Sequence, residues 1–325
     1  MSAVDQKRVI EPNTQKWLDE LAAASEGSPP LYELSPQDAR QVLLSVQASV
    51  PVAQPDADIE DKMIPGGPTG DVEIRIVKPT KVTETLPIVF HTHGGGWILG
   101  NKTTHERLDR ELANAIGAAI VFVNYTNAPE AHYPVQNEQA YTALEWAIAN
   151  AADFGADASR VALLGDSVGG NMAAALTLMA KERGGPKLAA QVLFYPVTDA
   201  DFETETYRLY ADGPWLTRPA MEWFWDAYLP DEHRRSEITA SPLQASLEEL
   251  SGLPPALVIN GQHDVLCAEG EAYARKLSQA GVPVTQVRYA GTIHDFVLLN
   301  PITTTPAPRA AIAQAAHFLK QGFNA

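Results

Sequence analysis

The pentapeptide Gly165-Asp166-Ser167-Val168-Gly169 constrains this chain most, because of its two flanks. An apolar run, VALLG (161–165), precedes it, and a helical pattern over 169–183 comes after it. A serine between a buried strand and a helix start occupies a tight turn, and glycines at its flanks remove the side chains that would crowd it. The turn holds the hydroxyl out at the carboxyl end of the sheet. The helix N-terminus behind it favours developing negative charge. Ser167 is therefore the candidate nucleophile, with Gly165, Asp166 and Gly169 as its support. The plainer alternative is a glycine-rich helix start with a capping serine.

The same alternation fills most of the chain. Short β-rich runs lie at 72–77, 88–92, 119–125, 161–165, 191–195, 256–260 and 284–289. Several are continuous apolar runs, as expected of strands buried on both faces. Helical patterns at 105–116, 135–152, 169–183, 268–280 and 308–320 separate them. That order predicts an α/β domain with a mostly parallel sheet flanked by helices. Two further helical patterns, Asp5–Ala24 and Pro36–Ser49, stand before the first strand, the second with Ser35 as its cap. A long, aromatic-rich connection between Tyr195 and Ala256 carries Trp215, Phe224 and Trp225 among others. It reads as a helical piece folded over one end of the sheet.

The second strand runs into HTHGGGW, residues 91–97. Consecutive glycines cost backbone entropy and make sense where main-chain N–H groups must approach a ligand closely. Acyl transfer places negative charge on a carbonyl oxygen, and preorganised N–H donors stabilise that oxyanion. The HGGG pattern is associated with lipases and esterases that carry G-x-S-x-G. His93 reads as a residue that orients this loop together with Gly94, not as the base. Trp97 is a candidate for a pocket wall, as is Trp215.

The nucleophile needs a base, and the chain has eight histidines. His294 comes after the last β-rich run, so it emerges at the carboxyl edge where Ser167 must also be. His91 and His93 belong to the glycine loop; His105, His132, His233 and His317 fall in helices or connections. His263 neighbours the acid candidate Asp264, which comes after the run at 256–260 through a short turn. Asp264 is preferred to Asp199, which succeeds the preceding run in the same manner. Asp295 adjoins His294, an awkward place from which to hold that ring in the required geometry. The order Ser167…Asp264…His294 is that of α/β-hydrolases.

Composition narrows the partners. The formal charge is -16, which repels phosphate backbones and anionic headgroups and argues against nucleic acid. The single cysteine, Cys267, allows neither an intrachain disulfide nor a CxxC metal site. The first residues lack an apolar signal core, and no stretch approaches the ~18 apolar residues of a spanning helix, so a cytoplasmic protein without membrane insertion is expected.

Taken together, these motifs resemble the hormone-sensitive-lipase-like carboxylesterases, also called bacterial family IV, in the subgroup with GDSAG around the nucleophile. Val168 stands here for the usual alanine. His93 to Trp97 matches the family's HGGGW, Asp264-Val265-Leu266 with Glu269 its Asp-x-Leu-x-x-Glu, and Gly291, His294 and Phe296 its G-x-x-H-x-F. The resemblance implies an α/β-hydrolase fold, a triad of Ser167, Asp264 and His294, and an oxyanion hole from the N–H groups of Gly95, Gly96 and Val168. It implies hydrolysis of short- to medium-chain acyl esters with no cofactor or metal, and a homodimer. It also implies a helical cap made of residues 1–50 and an insertion, 200–235, after the sixth parallel-sheet strand. The catalytic domain would then comprise 51–199 and 236–325. One departure is Tyr125-Thr126-Asn127-Ala128-Pro129-Glu130, where the family often has Tyr-Arg-Leu-Ala-Pro-Glu, leaving the usual arginine's contacts unassigned. Rival expectations are an amidase or lactonase on the same residues, and a catalytically silent relative that only binds a ligand.

Overall fold

The structure, a computed structural model, describes residues 9–324. In chain order its elements are α1 (Pro12–Ala24), α2 (Pro36–Ala48), β1 (Ala57–Gly67), β2 (Gly70–Pro79), β3 (Leu86–Thr92), α3 (Glu106–Ile116), β4 (Ala119–Asn124) and α4 (Val135–Ala149). They continue with β5 (Ala156–Asp166), α5 (Val168–Arg183), β6 (Gln191–Phe194), α6 (Glu205–Leu209), α7 (Arg218–Tyr228) and α8 (Leu247–Leu250). The last are β7 (Ala256–His263), α9 (Cys267–Gln279), β8 (Val284–Ile293) and α10 (Pro306–Phe323).

The strands form one eight-stranded sheet in the order β1-β2-β4-β3-β5-β6-β7-β8. Only β2 runs against the others. The central strands are apolar throughout because both of their faces are covered. Ile88 and Phe90 of β3 pack with Leu144 of α4 and Leu176 of α5 on one side. Val89 of β3 packs with Leu112 of α3 and Leu319 of α10 on the other. This is an α/β-hydrolase fold.

The expected strands and helices are present, and three departures stand out. The first is β1, absent from the reading of the sequence. It is an edge strand, half exposed and rich in charge, so it lacks the apolar run that marks its neighbours. The second concerns the insertion. It comes after β6, the sixth strand in the chain, but only the fifth of the parallel set, because β2 opposes the rest. The third is the first helix, expected from Asp5. It begins at Pro12, where Glu11 caps it by accepting the Thr14 N–H at 2.8 Å, and residues 5–8 of that expectation lie outside the described residues. Among the described residues no helix is long and apolar enough to cross a membrane.

Strand register is what assembles the far end of the sheet. Thr92 of β3 pairs with Gly165 of β5, so the glycine loop and the Ser167 turn leave the sheet side by side. His263 of β7 pairs with Ile293 of β8, so Asp264 and His294 are the next residues out on neighbouring strands.

Candidate active site

Ser167 sits on a strained turn, φ 56° and ψ −122°, between β5 and α5. Few non-glycine residues adopt a positive φ, and such strain persists only where the surroundings over-determine it. Here Ser167 N–H donates to Phe194 O at 2.9 Å, and its own carbonyl accepts from Val197 N–H at 3.1 Å. The flanking glycines are required by contact. A Cβ on Gly165 would lie 2.1 Å from the Gly169 oxygen, and one on Gly169 would lie 2.0 Å from the Thr92 oxygen.

The structure brings Ser167, His294 and Asp264 into one relay. The Ser167 hydroxyl lies 2.9 Å from Nε2 of His294, and Nδ1 lies 2.7 Å from Oδ2 of Asp264. Asp264 is oriented in turn by the Leu266 N–H, which donates to Oδ1 at 2.9 Å. Burial alone would push the His294 imidazole down. The carboxylates of Asp264 and Asp295 outweigh that and hold it up at about 9. The alternative acid, Asp199, lies elsewhere and accepts from Gln244 at 2.7 Å. His263 faces Tyr210 and the Val9 carbonyl. The segment after His294 is tied down by two buried side chains. Arg107 donates to the Val297 carbonyl at 2.9 Å, and Gln47 to the Leu298 carbonyl at 3.1 Å.

Gly95 and Gly96 have φ of 106° and 63°, which suits residues without a Cβ. No hydrogen bond among the described residues uses the N–H of either, whereas Gly94 N–H donates to Asp166 Oδ1 at 3.1 Å. Gly95, Gly96, Ser167 and His294 face a common pocket. Val168 opens α5 directly after Ser167.

Beneath the loop lies a buried network that sequence reasoning only touched through Asp166. His91 bridges Asp109 Oδ1 at 2.6 Å and Asp166 Oδ1 at 3.2 Å, and His105 Nε2 meets Asp166 Oδ2 at 3.2 Å. All four side chains are fully buried. Burial alone would raise the Asp166 carboxyl, but the neighbouring His105 and His91 outweigh it and hold the group far below the usual carboxylate range. His91 is pushed up to about 9, its two carboxylate partners overcoming burial. His93 is different. Burial, with His105 nearby, pushes it down to about 3, so it stays neutral, stacked on Tyr125 at 4.0 Å with Nδ1 against the Gly94 carbonyl. Nothing local in sequence points to His105 or Asp109, which come from the start of α3.

The remaining expected residues have varied surroundings. Glu269 is buried, and its Oε1 accepts from the N–H groups of Thr198 at 2.6 Å and Asp199 at 3.4 Å, joining α9 to the segment after β6. Burial pushes its carboxyl well up. Trp215 lines the pocket. Trp97 does not: it is wholly buried, stacked flat on Tyr228 at 3.9 Å and edge-on to Trp225 at 5.0 Å. The turn at Trp97, φ 56°, sends its side chain into the core beneath α7. Thr126, where the family often has arginine, pairs with Gln139, its N–H donating to Oε1 at 2.8 Å and its Oγ1 accepting from Nε2 at 2.9 Å, while an arginine from a distant segment binds the neighbouring backbone. Arg40 of α2 donates to the Ile98 carbonyl at 2.8 Å, to the Ala128 carbonyl at 3.0 Å and to Glu130 at 2.6 Å. It thereby clamps the exit of the glycine loop.

The pocket wall above Ser167 is almost entirely apolar. Leu31 and Val42 come from the N-terminal segment, Leu216, Ala220 and Phe224 from the insertion. Asp295 is the carboxylate among them.

Residues 89–298 match the family described as alpha/beta hydrolase fold. The carboxylesterase NlhH of Mycobacterium tuberculosis is 36% identical over 279 residues, covering 85% of this chain and 86% of its own length. An esterase of Gibberella moniliformis is 33% identical over 308 residues, 93% of this chain and 95% of that one. Among solved structures, a thermostable esterase from Pseudomonas putida ECU1011 superposes with a TM-score of 0.94 at 48% identity, over 99% of each chain.

Proposed function

The chain belongs to the alpha/beta hydrolase fold family, in its hormone-sensitive-lipase-like branch, and from that premise we propose that it is a serine carboxylesterase acting on short- to medium-chain acyl esters. The observation that carries the reading is the unbroken relay Ser167–His294–Asp264, opening on an apolar pocket floored by Gly95 and Gly96.

The contacts support a step for each residue. With the imidazole neutral, the Ser167 hydroxyl donates to Nε2 and Nδ1–H donates to Asp264. Ser167 attacks the ester carbonyl as Nε2 takes its proton, and Asp264 stabilises the imidazolium. The N–H groups of Gly95, Gly96 and Val168 receive the oxyanion. The tetrahedral intermediate collapses, Nε2–H protonates the departing alkoxide, and the acyl group remains on Ser167. Water, deprotonated by the same nitrogen, then releases the acid. The apolar wall from the N-terminal segment and the insertion, read as a cap, accommodates the organic part of the ester. A connected relay favours catalysis over a binding-only role.

The test is hydrolysis of p-nitrophenyl esters of increasing acyl length by wild type and Ser167→Ala. Wild type is expected to cleave short chains best and the variant to be folded and inactive. Equal activity in both proteins would remove Ser167 from the reaction.

A further inference from the structure

The base has a second carboxylate neighbour that the reaction scheme leaves idle. Asp264 meets Nδ1 of His294, while Oδ1 of Asp295 lies 3.3 Å from Nε2, the nitrogen facing Ser167. Asp295 holds this place with a left-handed backbone, φ 62°, which short polar residues such as aspartate tolerate better than most. The turn is closed by the N–H groups of Leu298 and Leu299, both donating to the Asp295 carbonyl, at 2.8 and 2.9 Å. Its Oδ2 accepts from the indole Nε1–H of Trp215 at 2.9 Å, whereas Oδ1 has no hydrogen-bond partner. Trp215 packs in turn against Trp17 of α1, ring centroids 5.3 Å apart. A chain of contacts thus runs from the N-terminal helix through the insertion to the catalytic base.

Nε2 changes role during the reaction, and Asp295 answers the two roles differently. While Nε2 is an acceptor for the serine hydroxyl, a nearby carboxylate gives it nothing. Once Nε2 carries the serine's proton, the same carboxylate faces a cation. An interaction stronger in the charged state than in the resting one favours the transition state. Distance matters as much as charge. A carboxylate free to swing would take the Nε2–H for itself and withhold it from the leaving alkoxide. The Trp215 indole holds Oδ2, and Oδ1 makes no hydrogen bond to Nε2.

We propose that Asp295 is a positioning residue that acts on His294 from the Nε2 side, and that the indole N–H of Trp215 fixes its aim. This rests on the reading of His294 as the base of ester hydrolysis. The other groups that bear on the pair are Asp264 and Asp166, whose charges face both His294 and Asp295, and Tyr195, whose ring packs edge-on to His294 at 4.8 Å.

The test is the pH dependence of kcat and kcat/KM on p-nitrophenyl acetate for wild type, Asp295→Asn, Trp215→Phe and the double variant, with Ser167→Ala as control and thermal melting as the check of folding. Asp295→Asn is expected to move the acid limb of kcat/KM to lower pH and to reduce kcat, with KM little changed. Trp215→Phe is expected to move the acid limb the other way, to higher pH, because the freed carboxylate pairs with Nε2–H. In the double variant that upward shift is absent. A purely structural role for Trp215 would change KM or the melting temperature and leave the acid limb in place. An acid limb unmoved by Asp295→Asn, or an upward shift that Trp215→Phe produces equally with Asn at 295, overturns the proposal. Trp215→Phe leaves the buried carboxylate itself intact, so it tests the coupling even where Asp295→Asn fails to fold. Should Ser167→Ala hydrolyse the ester like wild type, the esterase reading itself falls, which is a different result from an inactive Ser167→Ala with unshifted profiles.

Discussion

The two sides of Ser167 are built from opposite materials. Beneath it, Asp166, His91, His105 and Asp109 form a fully buried polar network. Above it, Leu31, Val42, Leu216 and Phe224 form an apolar wall drawn from two distant stretches of chain. A buried hydrogen-bond network has one acceptable geometry, since each unpaired member is costly. An apolar wall has many, because side chains of similar volume exchange at small cost. On this reading the lower side holds the chemistry in place and the upper side chooses the substrate, and each can change without the other.

Three substitutions put that division under strain. The largest effect belongs to the relay itself. Asp264→Asn should lower kcat by about 10⁴-fold, since the imidazole loses the partner that fixes its tautomer. Steady-state kinetics on p-nitrophenyl acetate measures this, and activity close to wild type would sink the assignment of Asp264. Asp166→Asn comes next. It removes the charge that His91, His105 and the Gly94 N–H all face, so the glycine loop loses its anchor. We expect kcat to fall by about 10²-fold, comparable to the loss of an oxyanion donor. Urea unfolding should show a loss of about 3–5 kcal/mol for breaking a buried charge network. A stable variant with unchanged kcat would show that the lower side holds nothing. The smallest effect on chemistry, and the sharpest on choice, is expected from Phe224→Ala. Turnover of the acetyl ester should stay within a few-fold of wild type, while longer acyl chains gain by about tenfold, in keeping with about 1–3 kcal/mol per methylene in an apolar site. Relative kcat/KM across a chain-length series reads this. A collapse on all esters alike would erase the distinction between the two sides.

How much of this was legible in the sequence depended on how local each feature is. The strand–turn–helix around Ser167 is written in consecutive residues, so apolar run, glycines and helix pattern were read together. Asp264 and His294 each come after a β-rich run, and parallel strands bring the residues at their carboxyl ends to the same edge. β1 was missed because an edge strand with one exposed side carries charged residues in place of an apolar run. Trp97 was a candidate for the pocket, yet its turn sends it into the core against Tyr228, and an aromatic in sequence does not declare which side of its backbone is filled. Arg40 and His105 were invisible for another reason: each acts on a partner dozens of residues away, with no spacing to reveal it.

By itself the sequence determined the alternating α/β order, the tight turn at Ser167 and the glycine loop, because these depend on short-range sterics: a glycine where no Cβ fits, an apolar run where both faces are covered. Tertiary structure alone decided which carboxylate meets which nitrogen. The register between β7 and β8 brings Asp264 to Nδ1 of His294. The left-handed turn at Asp295 and the docking of Trp215 from the insertion bring a second carboxylate to the Nε2 side. Hydrogen bonds and charge act over a few ångströms in space. Distance along the chain does not enter them, so although the place of Asp264 and His294 after neighbouring strands announced that they meet, no local pattern of residues disclosed the approach of Asp295 or its tie to Trp215.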